Sequence, residues 1–318
     1  MKRILPVIIG FLILVIILYF VGFDSVITIL SQINLFYFFI AAIVFFVVEI
    51  LAALKLKLIS KLKFSSIFLS HMGGMFLSQI TPGRVGYAYT AYSIAEKEKR
   101  SISKMIGVIG LVQGVMIASK IFVIVLAFVY FSYISEIPFY LYLAFITPIL
   151  ILFFVVFVLY TDKSKQLLLK IPFLKKTVKY TDLMQEAVKK IAKKTIVYMV
   201  LIDLMGWLLY GVMFYFLCIS LNVHLSFLTC LMLHPILSAL LFIPISPSAL
   251  GIAESGSALV FSLLKAELDL LNSDIFVFGV AFFLLLRINT IFVDSIGLID
   301  YKNIKLHKIL KKIKTKKL

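Results

Sequence analysis

Six apolar runs divide this chain: residues 4–22, 33–54, 105–131, 137–160, 196–219 and 275–299. A helix rises 1.5 Å per residue, so about twenty apolar residues cross a hydrocarbon core of roughly 30 Å, and each run predicts a transmembrane helix. Two further stretches are apolar but broken. In the first, residues 64–80 carry Ser70, Gly74 and Ser78 at every fourth position, the small-residue spacing that lets helix backbones approach closely. These residues reach only about 26 Å. A polar turn follows, Ile80-Thr81-Pro82-Gly83-Arg84-Val85-Gly86-Tyr87, and the second arm, residues 87–95, is too short to cross. In the other stretch, residues 227–264, the break is Ile245-Ser246-Pro247-Ser248-Ala249-Leu250-Gly251-Ile252-Ala253-Glu254. It repeats the order isoleucine, hydroxyl residue, proline, aliphatic, glycine, 165 positions after the first. Backbone that leaves helical geometry at membrane depth must be buried in protein or line a wet cavity, so both breaks mark internal sites. The pattern predicts an all-α integral membrane protein with six full spans and two helical hairpins.

Composition agrees: 63% of residues are hydrophobic and the mean hydropathy is +1.12, against about 45 to 50% apolar in soluble domains. The formal charge of +17 is not a nucleic-acid signature, because 28 of the 32 Lys and Arg fall in five clusters beside apolar runs. The clusters are residues 2–3, 55–63, 97–104, 163–194 and 302–317, and they skip alternate connections. By the positive-inside rule they are cytoplasmic, which puts both termini inside and makes the protein a multi-pass component of the cell membrane. The run after Lys2 and Arg3 has no small-residue cleavage site and is read as the first span, with residues 23–32 as an outer connection. Basic flanks make the first hairpin open to the cytoplasm; the second, whose flanks carry one lysine, opens outward. One polytopic domain results, with a first half at about 1–160, a basic linker at 161–195, a second half at about 196–299 and a basic tail at 300–318. The halves have opposite topology, an inverted pseudo-repeat of the kind that places a transporter's site where its broken segments meet.

Charges within spans cost about 2.5 to 3.5 kcal/mol each at mid-helix and need a partner or water. Lys120, Asp203 and Arg287 lie well inside, Glu49 and Asp294 nearer the ends. For Lys120, Asp203 and Glu49, mutual ion pairing and a place on a substrate pathway both fit. Arg84, after a glycine at a hairpin tip where the next helix exposes its amides, suits a phosphate; the competing role is tethering or snorkelling. Glu254 either caps its own helix or pairs with a cation. His71 and His234 are read as satisfied core histidines, and Cys218 and Cys230 as small buried hydrophobes, so no metal and no cofactor is expected. HExxH, GxxxxGK[ST], GxSxG, GxGxxG and CxxC are all absent from the sequence, which predicts no catalytic residue of those types.

Pro82-Gly83-Arg84-Val85-Gly86 after a small-residue segment, together with the stretch from Pro244 to Glu254, resembles the transmembrane region of lysylphosphatidylglycerol synthases and its free-standing flippase-like relatives. The resemblance covers nearly the whole chain and implies a bundle that moves a lipid headgroup between leaflets, either an aminoacylated phospholipid or a polyprenyl-linked sugar. For such a bundle the expected headgroup-binding residues are Arg84, Gly83, Gly86, Ser246, Gly251 and Glu254 of the two breaks, and the intramembrane charges Lys120, Asp203 and Arg287 are expected on the pathway. The partners the resemblance implies are membrane lipids and a separate synthase or glycosyltransferase. Two positions depart from the family pattern: Tyr87 stands where a glutamate is usual, and Gln113-Gly114 where a Glu-Arg pair is often seen. A membrane-embedded transferase and a non-transporting partner subunit are the alternative functions.

Overall fold

The computed structural model describes residues 5–81, 85–136, 146, 149–150, 152–154, 156–157, 161, 163–170, 181–182, 185–186, 189, 191–241, 246–268 and 272–303. Every regular element among them is helical: α1 (Leu5–Val21), α2 (Phe23–Ser31), α3 (Leu35–Ser60), α4 (Phe64–Ile80), α5 (Gly86–Lys97), α6 (Ile102–Ile134), α7 (Lys163–Lys170), α8 (Lys193–Ser220), α9 (Phe227–Leu240), α10 (Ile252–Ser262), α11 (Lys265–Leu268), α12 (Asn272–Asp294) and α13 (Leu298–Asn303), with single 3-10 turns at Pro247–Ala249 and Ser295–Gly297. Four helices are long and apolar enough to cross a membrane: Leu35–Ser60, Ile102–Ile134, Lys193–Ser220 and the continuous run Asp274–Tyr301. The expected span at 137–160 lies largely outside the described residues.

Residues 23–32, expected as a connection, form the helix α2, turned 87° from α1. Gly22, at φ 95, makes the bend, and Asp24 sits in the first turn of α2, where the helix dipole favours an anion. Val26 then packs with Ala258, Val277, Val280 and Ala281, which binds α2 to the second half. The apolar face of a nine-residue segment was too short a signal to separate a helix from a loop.

The bundle is built on α3 lying along α8, with α6, α9 and α12 packed around them. One end is stitched by the Asn34 amide, which donates to the Ser220 carbonyl at 2.8 Å, while the Asn34 side chain caps α3. The Asn289 amide, fully buried, donates to the Phe38 carbonyl at 3.0 Å. Phe214, Phe261, Phe278 and Phe282 fill the centre of the largest apolar cluster.

The two hairpins are real elements with different arms. In the first, α4 packs on α5 through the small-residue ridge expected from the sequence: Ser70 and Ser93 share a hydrogen bond of 2.7 Å, and Gly74 lies against Gly86 and Thr90. In the second, α9 packs on α10, and α10 lies along α12, where a Cβ on Gly279 would come within 2.5 Å of the Ala258 Cα. The C-terminal end of the last span closes onto the first hairpin. Asp300, fully buried, accepts from the Tyr89 hydroxyl and the Ser93 hydroxyl at 2.8 Å each and pairs with Lys97, while the Tyr301 hydroxyl donates to the Gly73 carbonyl at 2.7 Å. The first residues of the expected basic tail, from 300, belong to α13, which runs to Asn303 as part of the packed structure. Lys97, expected in a solvated cluster, is the counter-ion of Asp300, which is why a carboxylate can be buried there.

The α4–α5 contact sets a sharp test. A Cβ on Gly86 would lie 1.8 Å from the Gly74 carbonyl oxygen, so Gly86→Ala must push the arms apart. We expect a loss of about 1 to 3 kcal/mol or more, read as a lower melting temperature in detergent. Gly206→Ala, whose Cβ meets nothing within 4 Å, should be neutral or slightly stabilising.

Candidate functional site

Both hairpins end on one polar centre. After α9 the described chain resumes at the second tip with a turn in which the Ser246 hydroxyl donates to the Leu250 carbonyl at 2.8 Å. Ser248 and Ala249 follow in the left-handed region, at φ 43 and 53, before Gly251 at φ 83. That conformation is strained for residues with a Cβ and persists only where surroundings hold it. Here they do. The Ser248 hydroxyl donates to the Ser78 carbonyl at 2.9 Å and lies 3.3 Å from Gln79 Oε1, both at the end of α4, and the Ser248 carbonyl accepts from Arg287 Nη2 at 3.3 Å. The second tip therefore meets the C-terminal end of α4, the first arm of the other hairpin.

Glu254 does both things the sequence allowed. Its Oε2 accepts the Gly251 amide at 2.7 Å, capping α10, and its Oε1 accepts from Arg287 Nε at 2.9 Å and lies 2.7 Å from Nη2. The carboxylate is fully buried. Three more charged sets lie within the bundle. Asp203 on α8 pairs with Lys55 on α3 and lies 3.5 Å from the Ser119 hydroxyl on α6. Lys120 acts electrostatically on Asp203 and on His234. Glu49 on α3 bonds His71 on α4 at 2.6 Å, and Asp294 on α12 accepts from Gln79 Nε2 at 3.0 Å.

Between these groups lies a cavity of about 230 Å³, walled by α3, α4, α5, α6, α8, α9, α12 and the second tip. Its charged lining is Lys55, Lys120, Arg287, Glu49 and Asp203, with His71 and His234 beside them. Hydroxyl and amide groups of Gln79, Thr90, Gln113, Ser238 and Ser248 also face it, and Phe45, Trp207, Tyr210 and Phe283 supply the apolar wall. The His234 ring stacks on Tyr210 at 3.9 Å, and its Nδ1 is buried without a hydrogen-bond partner. A polar, cation-lined hollow inside an apolar bundle can hold an anion away from hydrocarbon, where electrostatic attraction is stronger than in water.

Of the residues expected at the site, Lys120, Asp203 and Arg287 line the cavity. Glu254 and Ser246 stand behind it, the first holding Arg287 and the second shaping the turn. Gly251 is the positive-φ N-cap of α10, and Gly86 is a packing contact of the hairpin arms. Gly83 and Arg84 lie outside the described residues. Of the mutual pairing expected of Lys120, Asp203 and Glu49, Lys120 acts on Asp203, whose ion-pair partner is Lys55, while Glu49 pairs with His71. Lys55 was grouped with a solvated basic cluster, but α3 continues to Ser60 and carries it into the bundle with 6% of its surface exposed. Six residues from Glu49 turn a helix by about 600°, so the two stand about 120° apart around α3 and helical spacing gave no signal for Lys55. Tyr87 and Gln113, the two departures from the family pattern, both line the cavity.

Residues 4–293 match the model of the lysylphosphatidylglycerol synthase TM region. The chain belongs to this family. It is also similar to the UPF0104 membrane protein MJ1078 of Methanocaldococcus jannaschii, at 24% identity over 197 residues, 61% of this chain and 82% of that protein. No solved structure matches it. The family match makes the four long apolar helices those of a multi-pass membrane protein, and the part matched is the membrane region of the synthase family.

Removing one member of the Glu254–Arg287 pair leaves the other charge buried. Glu254→Gln should cost about 3 to 5 kcal/mol, seen as a lower melting temperature in detergent. Glu254→Gln combined with Arg287→Gln should be less destabilised than the sum of the single changes, because the stranded charge is gone.

Proposed function

We propose that this chain translocates a lipid bearing an anionic headgroup, an aminoacylated phospholipid or a polyprenyl-linked sugar phosphate, between the leaflets of the cell membrane. The observation that carries the reading is the cavity lined by Lys55, Lys120 and Arg287, with Glu49 and Asp203, where the second tip meets the end of α4. Lysine and arginine there offer a phosphate charge-assisted hydrogen bonds, and the apolar bundle around them raises the worth of each bond. Hairpins in contact supply a natural moving part: the bonds between the second tip and the end of α4 can break on one face while the other stays closed. The reading further places both termini in the cytoplasm, relates the halves as an inverted repeat and sets Arg84, at the first tip, beside the same headgroup. Chemistry on the lipid then falls to a separate synthase or glycosyltransferase.

The test is reconstitution of the purified chain in vesicles with phosphatidylglycerol fluorescently labelled so that each leaflet can be quenched separately. Wild type should exchange label between leaflets faster than protein-free vesicles. Lys120→Ala should slow exchange at least tenfold, since a hydrogen bond to a charged group contributes about 1.5 to 3 kcal/mol. Arg84→Lys should also be impaired, because lysine keeps the charge but loses the two-pronged match to phosphate oxygens. A folded wild-type protein that moves no label would sink the reading and favour a partner subunit without transport of its own.

A further inference from the structure

We propose that Glu49, His71 and Asp294 form a proton-binding site through which lipid translocation is coupled to a transmembrane proton gradient; this rests on the translocator reading above. The site is carried by Asp294. Its carboxylate is fully buried at the end of α12; Oδ2 accepts from Gln79 Nε2 at 3.0 Å, while Oδ1 is buried with no hydrogen-bond partner among the described residues. Burying a carboxylate with one oxygen unsatisfied is costly unless a cation or proton joins it. The charged group that acts on it is another carboxylate, Glu49 on α3, itself bonded to His71 on α4.

Two carboxylates and one imidazole make an incomplete set. Even with His71 cationic, one negative charge is left over, and one proton removes it. Among the described cations that line the cavity, Arg287, two turns earlier on α12, is held by Glu254 on α10, and Lys55 by Asp203 on α8. Among the described residues no three His, Cys, Asp or Glu side chains are grouped to hold a metal ion, whereas a proton needs only one lone pair. Loading therefore adds one proton to Oδ1, forming an O–H bond and cancelling one charge; unloading returns that proton to water.

Geometry connects this site to the headgroup cavity. Gln79 bonds Asp294 with its amide nitrogen, its oxygen lies 3.3 Å from the Ser248 hydroxyl, and the Ser248 carbonyl accepts from Arg287. Glu49, His71, Gln79, Ser248 and Arg287 all line the cavity. Protonating Asp294 removes the charge that strengthens its bond to Gln79, which loosens the residue that the second tip leans on. Proton and headgroup thus act on one contact between the hairpins, the physical condition for coupling.

Full-length protein in vesicles containing fluorescent phosphatidylglycerol, given a pH step across the membrane, tests this. With one proton coupled per lipid, the final leaflet ratio should shift about tenfold per pH unit, and in Asp294→Asn it should no longer follow the step. A second readout does not need transport: infrared difference spectra of the detergent-solubilised protein between alkaline and acidic pH should show a protonated-carboxyl band that Asp294→Asn removes. If that variant does not fold, Asp294→Glu serves, and should keep a protonated-carboxyl band at a shifted frequency. A wild-type leaflet ratio that ignores the pH step, or follows a sodium gradient instead, overturns the proton site and leaves the translocator reading standing. Absence of any lipid movement overturns that reading; a carboxyl band missing in wild type or unchanged in Asp294→Asn overturns the proton site on its own.

Discussion

Backbone amides and carbonyls that leave a helix inside a membrane protein have no water to turn to, and each unsatisfied group costs several kcal/mol. The rest of this structure follows from how the broken segments meet that demand. At the second tip, the left-handed turn at Ser248 and Ala249 is held by Ser246, by the Arg287 guanidinium and by the carbonyl of Ser78 on the opposite hairpin. The tip is satisfied by the first hairpin and the last span together. Neither hairpin could reach this geometry alone, because the hydrogen bonds that hold the turn come from segments 170 positions apart in the chain.

Charge follows the same rule. Glu254 with Arg287, Asp203 with Lys55, Glu49 with His71 and Asp300 with Lys97 each join different helices. Buried pairs of this kind contribute little net stability compared with apolar packing, since desolvation offsets most of the attraction. What they do is fix register, because a slip of one helix strands a charge. They also keep polar walls around a cavity that apolar side chains would otherwise fill. The Asp300 network locks the end of the last span to the first hairpin, so a movement of that hairpin must be felt in the helix that carries Arg287 and Asp294.

Much of the fold was legible because bilayer thickness and the 3.6-residue helical period act on every segment alike. The apolar runs at 4–22, 33–54, 105–131, 196–219 and 275–299 became helices, and Ser70, Gly74 and Ser78 became the seam of the first hairpin. The site was legible where a single residue violated its surroundings: Lys120, Asp203 and Arg287 stood out as charges in apolar runs, and they line the cavity. It was illegible where a residue matched its local surroundings and mattered through a distant one. Lys55 looked like one more cytoplasmic lysine, and Asp300 like part of a tail, because their partners Asp203 and Lys97 lie 148 and 203 positions away. Gln79 and Ser248 were ordinary polar residues near turns until the two turns were seen to touch. For α2, the bend at Gly22 was readable as a break, but what lay beyond it depended on packing against α12.

The central claim is that the second hairpin tip meets the end of α4, and thiol cross-linking in native membranes tests it most directly. With Cys218 and Cys230, both buried, replaced by serine, a short bifunctional thiol reagent should join Ser78→Cys to Ser248→Cys within one chain. Ser70→Cys with Ser93→Cys, two arms of a single hairpin 2.7 Å apart at their hydroxyls, is the control pair. Efficient cross-linking of both pairs is the result this account predicts. Cross-linking of the control pair without the tip pair would contradict it.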